Sequence, residues 1–214
     1  MTFIESITLD VADPAAAHRF YTAAFGLDKP LRFRPAQPPT DGFRWFTLSL
    51  TVAQPADVRA LVDAALDAGA TALKPVAKSL WGYGGVVRAP DGAIWKVATP
   101  AKKDTGPATR QVDQMVLLLG VEDIAASKRF YTGHGLAVAK SFGKYVEFAT
   151  ASSPVKLALY GRRALAKDAG VPPEGSGSHR LAIVGDAGSF TDPDGFKWEA
   201  ASLEAAGQDY ATRA

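Results

Sequence analysis

Apolar and polar positions along the chain switch between two periods, and the switch marks the elements. Residues 3–11 are rich in β-branched and aliphatic side chains and predict a strand. After it, Ala17, Phe20, Tyr21 and Ala24 fall at i, i+3, i+4 and i+7, which predicts a helix capped by Asp13, entered through Pro14 and stopped at Gly26. The same order follows in residues 114–121 and then a helix from Asp123 to Gly133 or Gly135. A strand over 43–53 leads to a helix over 55–68, where Val58, Leu61, Val62, Ala65 and Leu66 make one stripe ended by Gly69. Further strands are predicted over 71–77, 85–88, 93–99, 136–142, 145–149, 155–160, 179–185 and 196–201, with a short helix over 164–169. Residues 100–111 mix Pro, Gly and charge without apolar periodicity and read as a linker.

The two sides of that linker resemble each other. Val11-Ala12-Asp13 leads to Arg19-Phe20-Tyr21-Thr22, and Val121-Glu122-Asp123 leads to Arg129-Phe130-Tyr131-Thr132. Late in each half come Pro90-Asp91-Gly92-Ala93-Ile94-Trp95-Lys96 and Pro193-Asp194-Gly195-Phe196-Lys197-Trp198-Glu199. An Asp-Gly turn alone is ordinary β chemistry, but two ordered copies are specific. Together these motifs resemble the vicinal oxygen chelate superfamily of glyoxalase, bleomycin-resistance and dioxygenase proteins, over nearly the whole chain. The resemblance implies an α+β fold of paired βαβββ modules, whose curved mixed sheets enclose a cavity with helices on the outside. It divides the chain into a first half over 1–100 (complete module 43–99), the linker 101–111 and a second half over 112–214 (complete module 114–160), packed as one unit. Residues 3–34 and 179–202 read as truncated modules.

In that superfamily a metal is held by side chains on the first and last strand of each module. Carried over position by position, these places fall on Ser6, Thr47, Lys96, Val116, His179 and Glu199. Only His179 and Glu199 are metal-ligand types, and Lys96 is an ammonium, so the resemblance implies no metal and no other cofactor here. Strand parity puts Trp45, Thr47 and Ser49 on a cavity side opposite the apolar Phe46, Leu48, Leu50 and Val52. The Leu80-Trp81-Gly82-Tyr83 loop offers Trp81 and Tyr83 as aromatics over a pocket mouth. Lys96 and Glu199 stand at matching places after Gly92 and Gly195, and the expectation is that they approach each other in one cavity.

Composition narrows the chemistry further. The 214 residues contain no Cys, which excludes thiol nucleophiles, zinc ribbons and iron–sulfur sites. A formal charge of +2 gives no argument for nucleic acid or an anionic membrane. No Gly-x-Ser-x-Gly elbow and no phosphate-binding glycine loop occurs. With neither a basic start followed by an apolar run nor a span-length apolar stretch, the expected place is the cytoplasm. The expected partner is a small molecule, and the chain a monomer or homodimer. The expected function is metal-independent binding of an organic compound, with Lys96, Trp45, Thr47, Ser49, Ser6, Trp81 and Tyr83 as ligand contacts. The alternative is an enzyme of the same superfamily, of lyase or dioxygenase type, using His179 and Glu199 for proton transfer or holding a metal.

Overall fold

The alternating segments pair into three sheets in a computed structural model that describes residues 2–27, 29–80, 82–150 and 152–201. The first half runs β1 (Ile4–Val11), α1 (Pro14–Phe25), β2 (Leu31–Pro35), β3 (Thr40–Gly42), β4 (Phe46–Thr51), α2 (Pro55–Asp67), β5 (Thr71–Ser79), β6 (Gly82–Arg88) and β7 (Ile94–Thr99). The second runs β8 (Gln114–Val121), α3 (Ile124–Gly133), β9 (Ala137–Phe142), β10 (Tyr145–Ala149), β11 (Val155–Gly161), α4 (Arg162–Ala169), β12 (Gly175–Gly177), β13 (Leu181–Gly185), β14 (Phe190–Thr191) and β15 (Lys197–Ala200). Four strands escape the sequence reading. β3, β12 and β14 are two or three residues long, too short for any periodicity, and β2 alternates its two arginines with Leu31 and Phe33 over only five residues.

An eight-stranded sheet has the order β5-β6-β7-β4-β8-β11-β10-β9, and a five-stranded sheet the order β14-β15-β13-β1-β2. β3 and β12 form a separate ribbon. The halves meet within both large sheets, where β4 pairs antiparallel with β8 from Phe46↔Leu119 to Thr51↔Gln114, and β1 pairs antiparallel with β13. Leu48, Leu50, Leu117 and Leu119 of one sheet and Ile7, Leu9, Leu181 and Ile183 of the other belong to a single buried core. Each such side chain contributes about 1.5–3 kcal/mol on burial. The apolar stripes of α1, α2 and α3 complete that core. α4 lies instead on the other face of the eight-stranded sheet, where Leu165, Ala166 and Ala169 cluster with Phe43, Val86 and Ile94.

Local chemistry fixes the helix ends. The Asp13 carboxylate accepts from Ala16 N at 2.9 Å, and that of Asp123 from Ala125 N and Ala126 N at 2.8 and 3.0 Å, which holds Asp123 below the usual carboxylate range. α1 stops at Gly26 in the left-handed region, φ 64°.

Each half also carries a buried Tyr-Asp-Trp chain. Tyr21 Oη donates to Asp91 at 2.8 Å and accepts from Trp95 Nε1 at 3.2 Å. Tyr131 Oη donates to Asp192 at 2.7 Å and accepts from Trp198 Nε1 at 3.4 Å. The second carboxylate comes from two residues before Asp194, which leaves Asp194 free for other work. Burial pushes Asp192 above the usual carboxylate range, against the bond from Tyr131 and that from Phe196 N.

The segment between the halves is strapped down. Gln54 Oε1 accepts from Thr105 N and Gly106 N, and its Nε2 donates to Pro107 O. Asp57 Oδ1 accepts from Thr109 N and Arg110 N, while Arg110 donates to Ala23 O and Ala24 O near the end of α1. Arg59 pairs with Asp104.

Replacing Tyr21 or Tyr131 with Phe removes one hydroxyl and orphans a carboxylate oxygen and an indole N–H. Each change is expected to cost about 1–3 kcal/mol, read as a lowered urea midpoint at unchanged slope.

Candidate small-molecule site

Pairing across the eight-stranded sheet puts Lys96 opposite Ser49, Ser49 opposite Val116 and Val116 opposite Lys156. These four half-exposed residues form one row on the face that α4 partly covers. At about 4.8 Å per strand, the two lysines stand roughly 14 Å apart at the Cα atoms. The first and last strands of the complete modules therefore present Lys, Ser, Val and Lys. The five-stranded sheet has a shorter row, Glu199, Val184 and Ser6.

The same registers correct one expected equivalence, that of His179 with Thr47. Leu48 lies opposite Trp95, and Ile183 opposite Trp198, so the counterpart of Thr47 in the last module is Ala182. His179 corresponds to Arg44 instead, two residues before the strand begins. Both side chains donate to the carbonyl of the Asp in the following Asp-Gly turn: Arg44 Nη2 to Asp91 O, and His179 Nε2 to Asp194 O at 3.0 Å. His179 Nδ1 meets Arg44 O at 2.9 Å, and the ring stacks on Phe196 with centroids 4.0 Å apart. Buried and with both nitrogens on main-chain carbonyls, His179 ties the last hairpin to the start of β4.

Lys96 and Glu199 do not meet. Lys96 Nζ lies 2.7 and 2.9 Å from the two oxygens of Asp168 on α4, whereas Glu199 pairs at 2.9 Å with Arg34 in the other sheet. Arg34 also holds Asp10 at 2.7 Å, and these two bonds, that to Asp10 first, raise its guanidinium above the ordinary range. The expectation of one shared cavity gives way because the closing strands β7 and β15 belong to different sheets.

What surrounds Lys96 is a cleft of about 430 Å³ between α4 and the β5-β6-β7 edge of the sheet. Lys74, Lys78, Tyr83, Thr51 and Asp168 line it with Lys96, over a floor that includes Gly84, Gly85, Val86 and Ala98. β5 breaks register twice around Pro75, which has no N–H to offer, and so bends away from β6 along this wall. Gly84 keeps the floor flat, since a Cβ there would sit 3.0 Å from Val97 O. Lys74 Nζ donates to Lys167 O at 2.6 Å, and Arg59 lies over the Tyr83 ring at 5.7 Å. The cleft thus sets three ammonium groups against one carboxylate, beside a phenol and aliphatic walls.

The other expected contacts divide. Ser49 lies in the row with Lys96, and Tyr83 lines the cleft. Thr47 is buried, and Trp45 packs against the α4 cluster with Arg162 over its ring at 3.6 Å. Ser6 is buried in the five-stranded sheet with a hydroxyl that has no hydrogen-bond partner. Trp81 lies outside the described residues. Asp168, Lys74 and Lys156 were missed. Lys156 stood out between the apolar Val155 and Leu157, but nothing local says that Asp168 docks on Lys96.

The donor set does not fit a divalent cation. Neither row supplies more than one carboxylate or imidazole, the Lys96 row ends in two ammonium groups, and among the described residues no three His, Asp or Glu side chains converge.

With this geometry in place, the comparison with solved structures defines the class. Glyoxalase I from Zea mays superposes with a TM-score of 0.62 at 14% identity, covering 94% of this chain and 92% of that one. A candidate dioxygenase from Bacillus subtilis subsp. subtilis str. 168 matches with a TM-score of 0.58 at 12% identity over 93% and 84%. The fold is thus the one seen in these structures, α+β with mixed curved sheets. No family model matches the sequence, and neither does any curated protein.

Substituting His179 with Ala removes the buried ring that meets the Arg44 and Asp194 carbonyls and stacks on Phe196. A loss of about 1–3 kcal/mol in unfolding free energy is expected, read as a lowered urea midpoint at unchanged slope.

Proposed function

We propose that the protein binds a small organic anion in the Lys96 cleft without a metal. The observation that carries this reading is the Lys96–Ser49–Val116–Lys156 row, which has cationic ends and includes Lys96 and Val116, two of the positions where the resemblance would put metal ligands. An ammonium supplies the positive charge for a carboxylate or enolate oxygen that a metal would otherwise supply. In the absence of ligand Asp168 neutralises Lys96, and a bound anion competes with it for the same Nζ. Tyr83, Val86 and Ala98 give an apolar wall for the organic part of the ligand. α4 closes the Thr47 end of this face, which favours a compact ligand lying along the β5-β6-β7 side. Among the described residues no helix is long and apolar enough to cross a membrane.

The test is calorimetric titration with a panel of aromatic and aliphatic carboxylates, repeated after chelator treatment. Binding should survive the chelator, weaken by at least about tenfold in Lys96→Met, and tighten about two- to fivefold in Asp168→Asn, because a half-exposed pair of this kind is worth about 0–1 kcal/mol. Affinity that appears only with added divalent metal would overturn the proposal.

A further inference from the structure

Three guanidinium groups from separate parts of the chain converge on another cleft. Arg44 precedes β4, Arg88 ends β6 and Arg180 precedes β13; all three line a cavity of about 420 Å³ beside the β3–β12 ribbon. Its walls include Phe43, Val171 and Pro172. Asp41 and Glu174, both exposed, line it too, but neither carboxylate comes within 4.0 Å of an arginine nitrogen.

Two of the three arginines are held by main-chain carbonyls rather than by a counter-ion. Arg44 Nη2 donates to Asp91 O and rests in the turn at Gly92, where a Cβ would stand 2.6 Å from that nitrogen. Gly92 has φ 88°, so both its conformation and its missing side chain make room for the guanidinium. Arg180 has a positive φ of 51°, directly after the anchored His179, and its Nε donates to Pro38 O at 2.9 Å. The exposed Arg88 side chain makes no hydrogen bond or ion pair among the described residues, and no other N–H of the three guanidiniums finds a protein acceptor there. Burial, and then the charges of Arg180 and Arg88, pull Arg44 below the ordinary guanidinium range against the opposing influence of Asp91. Like charges at this proximity repel, and the fold brings them together by fixed contacts rather than by flexible side chains alone.

We propose that this cleft is a second binding site, for an oxyanion of at least two negative charges such as a phosphate monoester or a polycarboxylate. Guanidinium forks match such oxygens bidentately, and the 420 Å³ volume admits a small metabolite behind the anionic group. The site is separate from the Lys96 cleft and shares none of its residues.

The experiment titrates inorganic phosphate, pyrophosphate and citrate into the full chain at constant ionic strength, using wild type, Arg88→Gln, Arg180→Gln and Lys96→Met. At least one probe is expected to bind, at least about tenfold more weakly in Arg88→Gln and Arg180→Gln and with unchanged affinity in Lys96→Met. Phosphate or pyrophosphate binding assigns the site to phosphate esters, and citrate binding to polycarboxylates; either supports the proposal. The anion-free Arg88→Gln protein should melt at the wild-type temperature or above it, since only repulsion is removed. The proposal is overturned by absence of binding at about 10 mM probe, by equal affinity in Arg88→Gln, or by a loss confined to Lys96→Met, which would move the anion to the other cleft. A fall in the melting temperature of anion-free Arg88→Gln that added anion leaves uncorrected would overturn it as well, by making the arginine a structural group.

Discussion

The register of β4 against β8 is the constraint on which the rest depends. Pairing Phe46 with Leu119 sends Leu48, Leu50, Leu117 and Leu119 to the core and leaves Ser49 and Val116 on the opposite face. A slip of β4 by one residue would turn Leu48 and Leu50 out of the core and bring Thr47 and Ser49 into it. That penalty locks the seam. Because β7 and β11 are added in parallel on either side of it, the same register also decides that Lys96 and Lys156 stand level with Ser49 and Val116. Core and site are two faces of one alignment.

The two Asp-Gly turns show how similar frames come to differ in chemistry. At Gly92 the residue that reaches the turn carbonyl is Arg44, which retains a net charge and donors to spare; at Gly195 it is His179, whose two nitrogens are both engaged and whose ring is stacked. Moving the tyrosine's carboxylate partner to Asp192 releases Asp194 to bind Arg162 at 3.0 Å and Ser127 at 3.0 Å. That salt bridge fixes the start of α4, which in turn covers the Thr47 end of the sheet and carries Asp168 to Lys96.

Much of the fold was legible in the sequence because its elements advertise themselves locally. Asp13 with Pro14, the Val58-Leu61-Val62-Ala65 stripe, and the alternation through β4 and β15 each identify an element from neighbours within a few residues. The site was legible only where parity suffices: Lys96, Ser49 and Tyr83 line or adjoin the cleft, and Lys96 emerged as a cation on a ligand-bearing strand. His179 leaves its expected place because the equivalence is set by pairing with the closing strands, which moves the counterpart of Thr47 three residues on to Ala182. Asp168 and the three arginines were invisible for a different reason. Their meaning comes from contacts across long stretches of chain, and no periodicity encodes which helix face meets which sheet.

The strap over 104–110 bears on how such a molecule can move. Gln54 and Asp57 sit at the start of α2, and Arg110 reaches the last carbonyls of α1, so the passage between halves grips both helices of the first half through main-chain hydrogen bonds. A connection of this kind behaves as a brace rather than a hinge. Clamshell opening of one half against the other would have to break the β4–β8 and β1–β13 ladders. The sheet's margin is less tightly specified than this seam: at the β5 edge the register against β6 shifts twice near Pro75, with Lys74 half-buried and Lys78 exposed.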